Sequence, residues 1–288
     1  MPLRAILQHD LRNLCESRIV RLWLAATALL TAAIVLTNWA ETPSAPLVAM
    51  LLFPFLVFPW FLVVMLLGVN PTSGARAETL ADGFLCRPVT RLECLLGTWV
   101  ARLLAVGGVY LVVTAPAVAV VVLADRPPTD DGVTLYGIVA ALGVVGLVLA
   151  LQVSLGVLVG ILLRRSLLAV AVLLLTWFPV NLVLHTFSLE QYSPITLSQR
   201  LPALLQQPWR AEPEADTATG EDMEALAQQA AQFLSVLSGA PPQPAKEPGF
   251  FDRAAIDDFS LRYVVLGYGI PTLLSIGLAA VCFHMRDF

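Results

Sequence analysis

Six stretches of this chain run for about twenty residues or more with almost no charge, and no other feature restricts its fold as severely. A helix crosses the roughly 30 Å hydrocarbon layer in about 20 residues at 1.5 Å each, so each stretch is a candidate crossing. They are Ile19 to Asn38, Pro46 to Val69, Leu95 to Ala124, Val133 to Leu163, Ser166 to His185 and Tyr263 to His284. Strands of a membrane barrel would read as alternating segments of about ten residues, a pattern not found here. The expected fold class is an all-α polytopic membrane protein with six transmembrane helices.

Composition agrees. Of 288 residues 58% are apolar before glycine is counted, and only 13% are charged, about half the usual charged share of a soluble domain. A soluble enzyme of this size has no means of hiding so many uncharged runs. The first twenty residues are too polar for a signal peptide and no clear small-residue cleavage site follows, so the first run is expected to be an uncleaved anchor.

The net charge of −4 matters less than its distribution across the two sides. With the amino terminus inside, the inner segments hold Arg4, Arg12, Arg18, Arg21, Arg76, Arg87, Arg91, Arg102, Arg164, Arg165 and Arg286, eleven cations against six acids. The outer segments hold the remaining six cations against fifteen acids. Both termini are therefore expected in the cytoplasm of a bacterial cell, with the chain multi-pass in its inner membrane. Cys15, Cys86, Cys94 and Cys282 then all lie near the reducing side, without disulfides.

Arg102 falls inside the third run. An arginine at mid-bilayer costs about 2.5–3.5 kcal/mol on insertion scales. Because Leu103 to Ala124 is alone long enough to cross, Leu95 to Arg102 is expected at the membrane surface, with the arginine snorkelling outward; the alternative is a buried functional charge. Pro54, Pro59, Pro116 and Pro179 sit inside runs and are expected to kink them.

Two further segments lie outside the bilayer. Met1 to Arg18 places Leu3, Ile6, Leu7, Leu11 and Leu14 on one helical face, an amphipathic interfacial helix. It reads equally as an elbow that passes motion to the first span and as a simple anchor. Phe187 to Arg262 is rich in glutamine, acids and prolines and forms a small extracytoplasmic lobe. Helices are expected over Glu221 to Leu237 and Ser198 to Gln207, with Pro241 to Gly249 as a semi-rigid connector. The lobe suits docking of a periplasmic partner, gating of an exit path, or a plain solvated lid.

Between spans two and three the chain reads Glu78-Thr-Leu-Ala-Asp82-Gly-Phe84-Leu85-Cys86-Arg87-Pro88-Val-Thr90-Arg91-Leu-Glu93. Glu78 to Cys86 makes two turns of a short helix along the membrane, and Pro88 ends it near Arg87. Thr90 caps the next helix with Glu93 at its third position, a capping box without the usual serine. Arginines beside acids, with Leu80, Phe84 and Leu85 as an apolar strip, form a compact docking knob.

Here the sequence resembles the membrane subunits of ABC transporters of the type-two exporter class, the six-span permeases. Their segment between spans two and three reads approximately Leu-Leu-Ser-Arg-Pro-Val-Ser-Arg-x-Glu-x-x-x-Gly-Lys. Leu85-Cys86-Arg87-Pro88-Val89-Thr90-Arg91-Leu92-Glu93 followed by Gly97 follows it in order and spacing. The departures are Cys86 and Thr90 for the two serines and Thr98 for the lysine, which removes that charge. The six-span layout, the first helix and the Met-Arg-Asp-Phe ending extend the resemblance along the chain.

The resemblance implies a single permease domain over residues 1–288, an interfacial helix over 1–18, a cytosolic coupling segment over 70–94 and an extracytoplasmic lobe over 187–262. It implies that the coupling segment seats in a groove of a separate cytosolic ABC ATPase through Glu78, Asp82, Phe84, Leu85, Arg87, Arg91 and Glu93. A second permease copy, membrane lipid and a periplasmic protein bound through 187–262 complete the expected partners. ATP and Mg belong to the partner ATPase, with no cofactor expected in this chain.

The residues also exclude functions. A phosphate-binding loop needs Gly-Lys followed by Ser or Thr, and the one lysine, Lys246, follows alanine on the outer side. No metal is expected, because His9, His185 and His284 lie far apart and no Cys/His cluster has ligand spacing. The spans hold too few acids for an ion-coupled carrier, and no basic aromatic stripe points to nucleic acid. Gln152, Ser154 and Asn181 are polar enough to line a path, but are expected to serve helix packing. The alternative function is a non-enzymatic membrane scaffold recruiting a periplasmic partner, which would have no need of the coupling motif.

Overall fold

In a computed structural model of the chain the described residues are 2–57, 59–69, 90–124, 132–163, 166–186, 193–207 and 261–285. Every element among them is a helix. In chain order they are α1 (Pro2–Glu16), α2 (Arg18–Asn38), α3 (Ser44–Leu56), α4 (Trp60–Val69), α5 (Arg91–Leu123), α6 (Leu135–Leu162), α7 (Ser166–Thr186), α8 (Pro194–Gln206) and α9 (Leu261–Met285).

Five stretches are long and apolar enough to cross a membrane: Arg18–Asn38, Ser44–Val69, Leu92–Leu123, Leu135–Leu162 and Val264–Met285. They coincide with five of the six runs read from the sequence. The sixth run falls on α7, whose described apolar portion, Ser166–Thr176, is shorter than a crossing. The outer faces of these helices are themselves apolar. On α2, Val20, Trp23, Thr27 and Thr31 turn inward, while Leu22, Leu29 and Leu36 are 70%, 75% and 78% exposed. A stripe of bare leucines spaced seven residues apart fits a hydrocarbon solvent, not water.

Two prolines shape the second crossing. Pro54 lies inside α3, and α3 and α4 are separate helices on either side of Pro59. Proline has no N–H to donate and its ring obstructs the preceding turn, so the ladder stops at Leu56 and restarts at Trp60. Val57 closes the first piece by donating to Phe53 O at 3.1 Å, and Leu62 opens the second by donating to Pro59 O at 3.3 Å.

The helices meet around one main core. Leu47, Leu51, Leu52, Phe55 and Leu56 of α3 are essentially inaccessible. They pack with Val106, Val109 and Tyr110 of α5 and with Val144, Val145 and Val148 of α6. Tyr110 lies edge-on to Phe55 at 5.0 Å between ring centroids and donates to Leu142 O at 3.2 Å. Nearer the other end of the same antiparallel pair, Trp99 Nε1 donates to Ser154 Oγ at 2.9 Å. α4 and α6 approach most closely at glycine on glycine. A Cβ on Gly68 would stand 2.9 Å from Gly156 Cα, and one on Gly156 would stand 2.8 Å from Gly68 Cα.

Part of the segment expected to form a lobe is described. The helix expected from Ser198 is found as α8, beginning earlier, at Pro194, because Ser193 is extended and Pro194 occupies the first turn. Its Leu197, Leu201, Leu204 and Leu205 join the main core. Thr134 holds its end: Thr134 N donates to Leu205 O at 2.9 Å, and its hydroxyl bonds Gln207 O and accepts from Gly137 N at 2.9 Å. The helix expected over Glu221 to Leu237 and the connector from Pro241 to Gly249 lie outside the described residues.

Candidate functional site

The end of the bundle that carries the motif is built from α1, the close of α4 and the start of α5. The capping box read from the sequence is formed. Glu93 N donates to Thr90 Oγ1 at 3.2 Å, and Thr90 N donates to Glu93 Oε2 at 3.0 Å. Two backbone donors that a helix start leaves without partners are thereby satisfied. α5 therefore begins at Arg91 with a formed cap.

α1 is the helix expected over the first eighteen residues, but it does not only lie on a surface. It packs along α5 with Ile6 buried and Leu7, Asp10, Leu11 and Leu14 half-buried. Arg12 pairs with Glu16 at 2.9 Å, and Arg21 Nη2 donates to Glu16 O at 2.8 Å, closing α1 against α2 with a cation at its carbonyl end.

Arg102 corrects the sequence reading. Its side chain is 3% exposed, so it does not snorkel outward. It turns into the bundle and donates from Nη1 to Gly68 O at 3.3 Å. α5 has 33 residues and extends beyond a bilayer, as the long run implied. The error was one of direction, since Arg102 lies on the face that meets α4. Burial raises the Asp10 carboxyl above its usual value, and the Arg102 charge, with His9 behind it, pulls it part of the way back. Asp10 and Arg102 thus sense one another, without a contact ion pair among the described residues.

Of the residues assigned to ATPase docking, Glu93 is fully placed and Arg91 begins α5. Glu78, Asp82, Phe84, Leu85 and Arg87 lie outside the described residues. Burial of Arg102 was the less favoured of the two sequence readings, and the charge of Asp10 acting on it and the Trp99–Ser154 bond went unread in the sequence. An arginine inside an apolar run was the available signal for the first of these. No group of three or more His, Cys, Asp or Glu side chains that could hold a metal occurs among the described residues.

Several apolar helices long enough to cross a membrane, bare leucine faces and a broken second crossing define a multi-pass helical membrane protein. A family model described as ABC-2 family transporter protein matches residues 83–288. That is well over half of the chain and takes in Arg87, Arg91 and Glu93, so the chain belongs to this family. A search of the curated proteins finds no match. Membership makes the chain a transmembrane subunit of an ABC transporter, the membrane component and not itself the ATPase.

Proposed function

We propose that the chain couples ATP hydrolysis by a separate cytosolic ABC ATPase to export, or to transmission of a conformational change, across a bacterial inner membrane. The observation that carries this reading is the family match over residues 83–288, which contains the Arg87-Pro88-Val89-Thr90-Arg91-Leu92-Glu93 segment. In this reading residues 70–94 are the coupling segment. Glu78, Asp82, Arg87, Arg91 and Glu93 offer charge to the ATPase, and Phe84 and Leu85 offer apolar contact.

A load on such a segment reaches the bundle only through something stiff. The capping box of α5 supplies one stiff end, and the hydrogen bond from Arg102 to Gly68 O ties the other, the close of the second crossing, to the same helix. α7 completes six crossings, both termini face the cytoplasm, and two permease copies bind two ATPases, which hold ATP and Mg. The amino-terminal helix (residues 1–18) acts as an elbow, and residues 187–262 face the periplasm and recruit a protein there.

Co-purification tests the docking. The permease is expressed with a candidate partner ABC ATPase, as the natural chain and as Arg87→Glu/Arg91→Glu. The expected result is a stable complex that the reversed charges dissociate at moderate salt, because several exposed charges act together. A complex indifferent to the reversal would place docking elsewhere.

A further inference from the structure

α9 packs chiefly along α6 and meets α5 only over a short stretch, where α5 begins and α9 finishes. There Leu95 of α5, Ile276 and Ala279 of α9, and Val157 and Ile161 of α6 form a small closed core. One turn further along α9, on the same face as Ile276, stands Ala280. A methyl group does not fill the space that a branched side chain fills one turn earlier, and a cavity of about 270 Å³ remains. Its walls are Leu92 and Leu95 on one side and Ala280, Val281, Phe283 and Met285 on the other, with His284 the one polar side chain among them.

The place of this cavity in the fold bears on what fills it. Leu92 and Met285 are the terminal residues of two candidate crossings, Leu92–Leu123 and Val264–Met285. The cavity therefore starts at the membrane boundary and reaches about 7.5 Å along α9, from Met285 to Ala280. Leu92, Val281 and Met285 are exposed, so it opens toward the surrounding hydrocarbon. An apolar cavity does not hold water, and the liquid beside this one is acyl chain.

The charges around its mouth are mostly positive. In sequence Arg91 precedes Leu92 and Arg286 follows Met285. α5, a helix of 33 residues, starts there and adds the positive end of its dipole. α9 ends there with the opposite pole and His284 in its last turn. The acids beside them in sequence are Asp287 and Glu93. Glu93 is committed to the cap, its Oε2 accepting from Thr90 N and Thr90 Oγ1 at 3.0 Å each.

We propose that the cleft between the start of α5 and the end of α9 is a phospholipid site. One acyl chain lies between Leu95 and Ala280, and the phosphate diester sits at the mouth, against the start of α5. The lipid fills a gap that the two helices leave between them and ties the last turn of α9 to the first turn of α5. This site depends on the crossings alone, whatever ATPase or cargo the protein serves.

Native mass spectrometry of the full chain, purified in dodecyl maltoside and stripped of lipid, reads the site. The probe is dioleoyl phosphatidylglycerol; dioleoylglycerol, with the same chains and no phosphate, is the control. The expected result is one phospholipid retained saturably, with the control at least tenfold weaker. Ala280→Phe, which fills the cavity, should reduce phospholipid affinity at least tenfold. Leu92→Glu, which puts a carboxylate at the exposed mouth, should do the same and serves alone if Ala280→Phe does not fold. Equal binding of the two lipids, or natural affinity in either folded variant, would overturn the proposal. A raised thermal midpoint in Ala280→Phe with phospholipid binding unchanged would do the same, by identifying a mere packing defect.

Discussion

Arg102 illustrates what a single residue discloses in a sequence and what it conceals. A cation within an apolar run announces a special position, and its cost requires some compensation. Whether the compensation is outward reach or an inward partner depends on which face of the helix it occupies. That face is fixed by neighbours far away in sequence, here Gly68 and, through its charge, Asp10. Thr90 and Glu93 were readable because their bonds close within four residues.

Asp10 yields a prediction with a definite sign. The packed helix raises its carboxyl above the ordinary 3.8, so docked α1 holds the proton to a higher pH than free α1. Its contribution is fully present below pH 3.8 and is lost as pH rises through the raised value. The groups bearing on it are Arg102 and His9. In neutral detergent, the thermal midpoint of the natural chain should fall relative to Asp10→Asn as pH increases across that window. Parallel profiles for the two proteins would contradict the placement of Asp10.

At the scale of elements, the periodicity of charge located five of the crossings to within a few residues, because bilayer thickness imposes their length. It said nothing of how they pack. The joint at Pro59 followed from proline's missing donor, but the Gly68–Gly156 approach did not, since a glycine within an apolar run is silent until a partner helix is known. The hold on α8 is similar. Thr134 reads as an ordinary cap and Gly137 as an ordinary glycine, yet together they receive the end of a helix some seventy residues away.

Gly137 admits no side chain there: a Cβ would stand 2.7 Å from Leu204 O and collide with the Leu205 backbone. Gly137→Leu is therefore expected to lift α8 from α6. Hydrogen exchange of residues 194–206 should quicken by at least tenfold while α5 keeps its protection. Unchanged exchange in α8 would show that the Thr134 clamp does not hold it.

For the whole molecule, fold class came from the sequence because the solvent dictates it: a chain this poor in charge cannot bury its apolar surface against water. Membership of the ABC-2 transporter family agrees with the segment that the sequence already marked between spans two and three. The physical route from that segment to the bundle emerged only with packing, where α5 carries the capping box at its start and Arg102 further along the same helix, bonded to the close of the second crossing. A scaffold that only recruits a partner would gain nothing from so stiff a connection.

ATP hydrolysis by the reconstituted pair in lipid nanodiscs tests that claim most directly. The permease and its ATPase are compared with the pair carrying Arg87→Glu/Arg91→Glu and with the ATPase alone. Coupling through residues 70–94 predicts hydrolysis that depends on the natural permease and returns to the level of the isolated ATPase when the two arginines are reversed. Full permease-dependent hydrolysis with the charges reversed would contradict it.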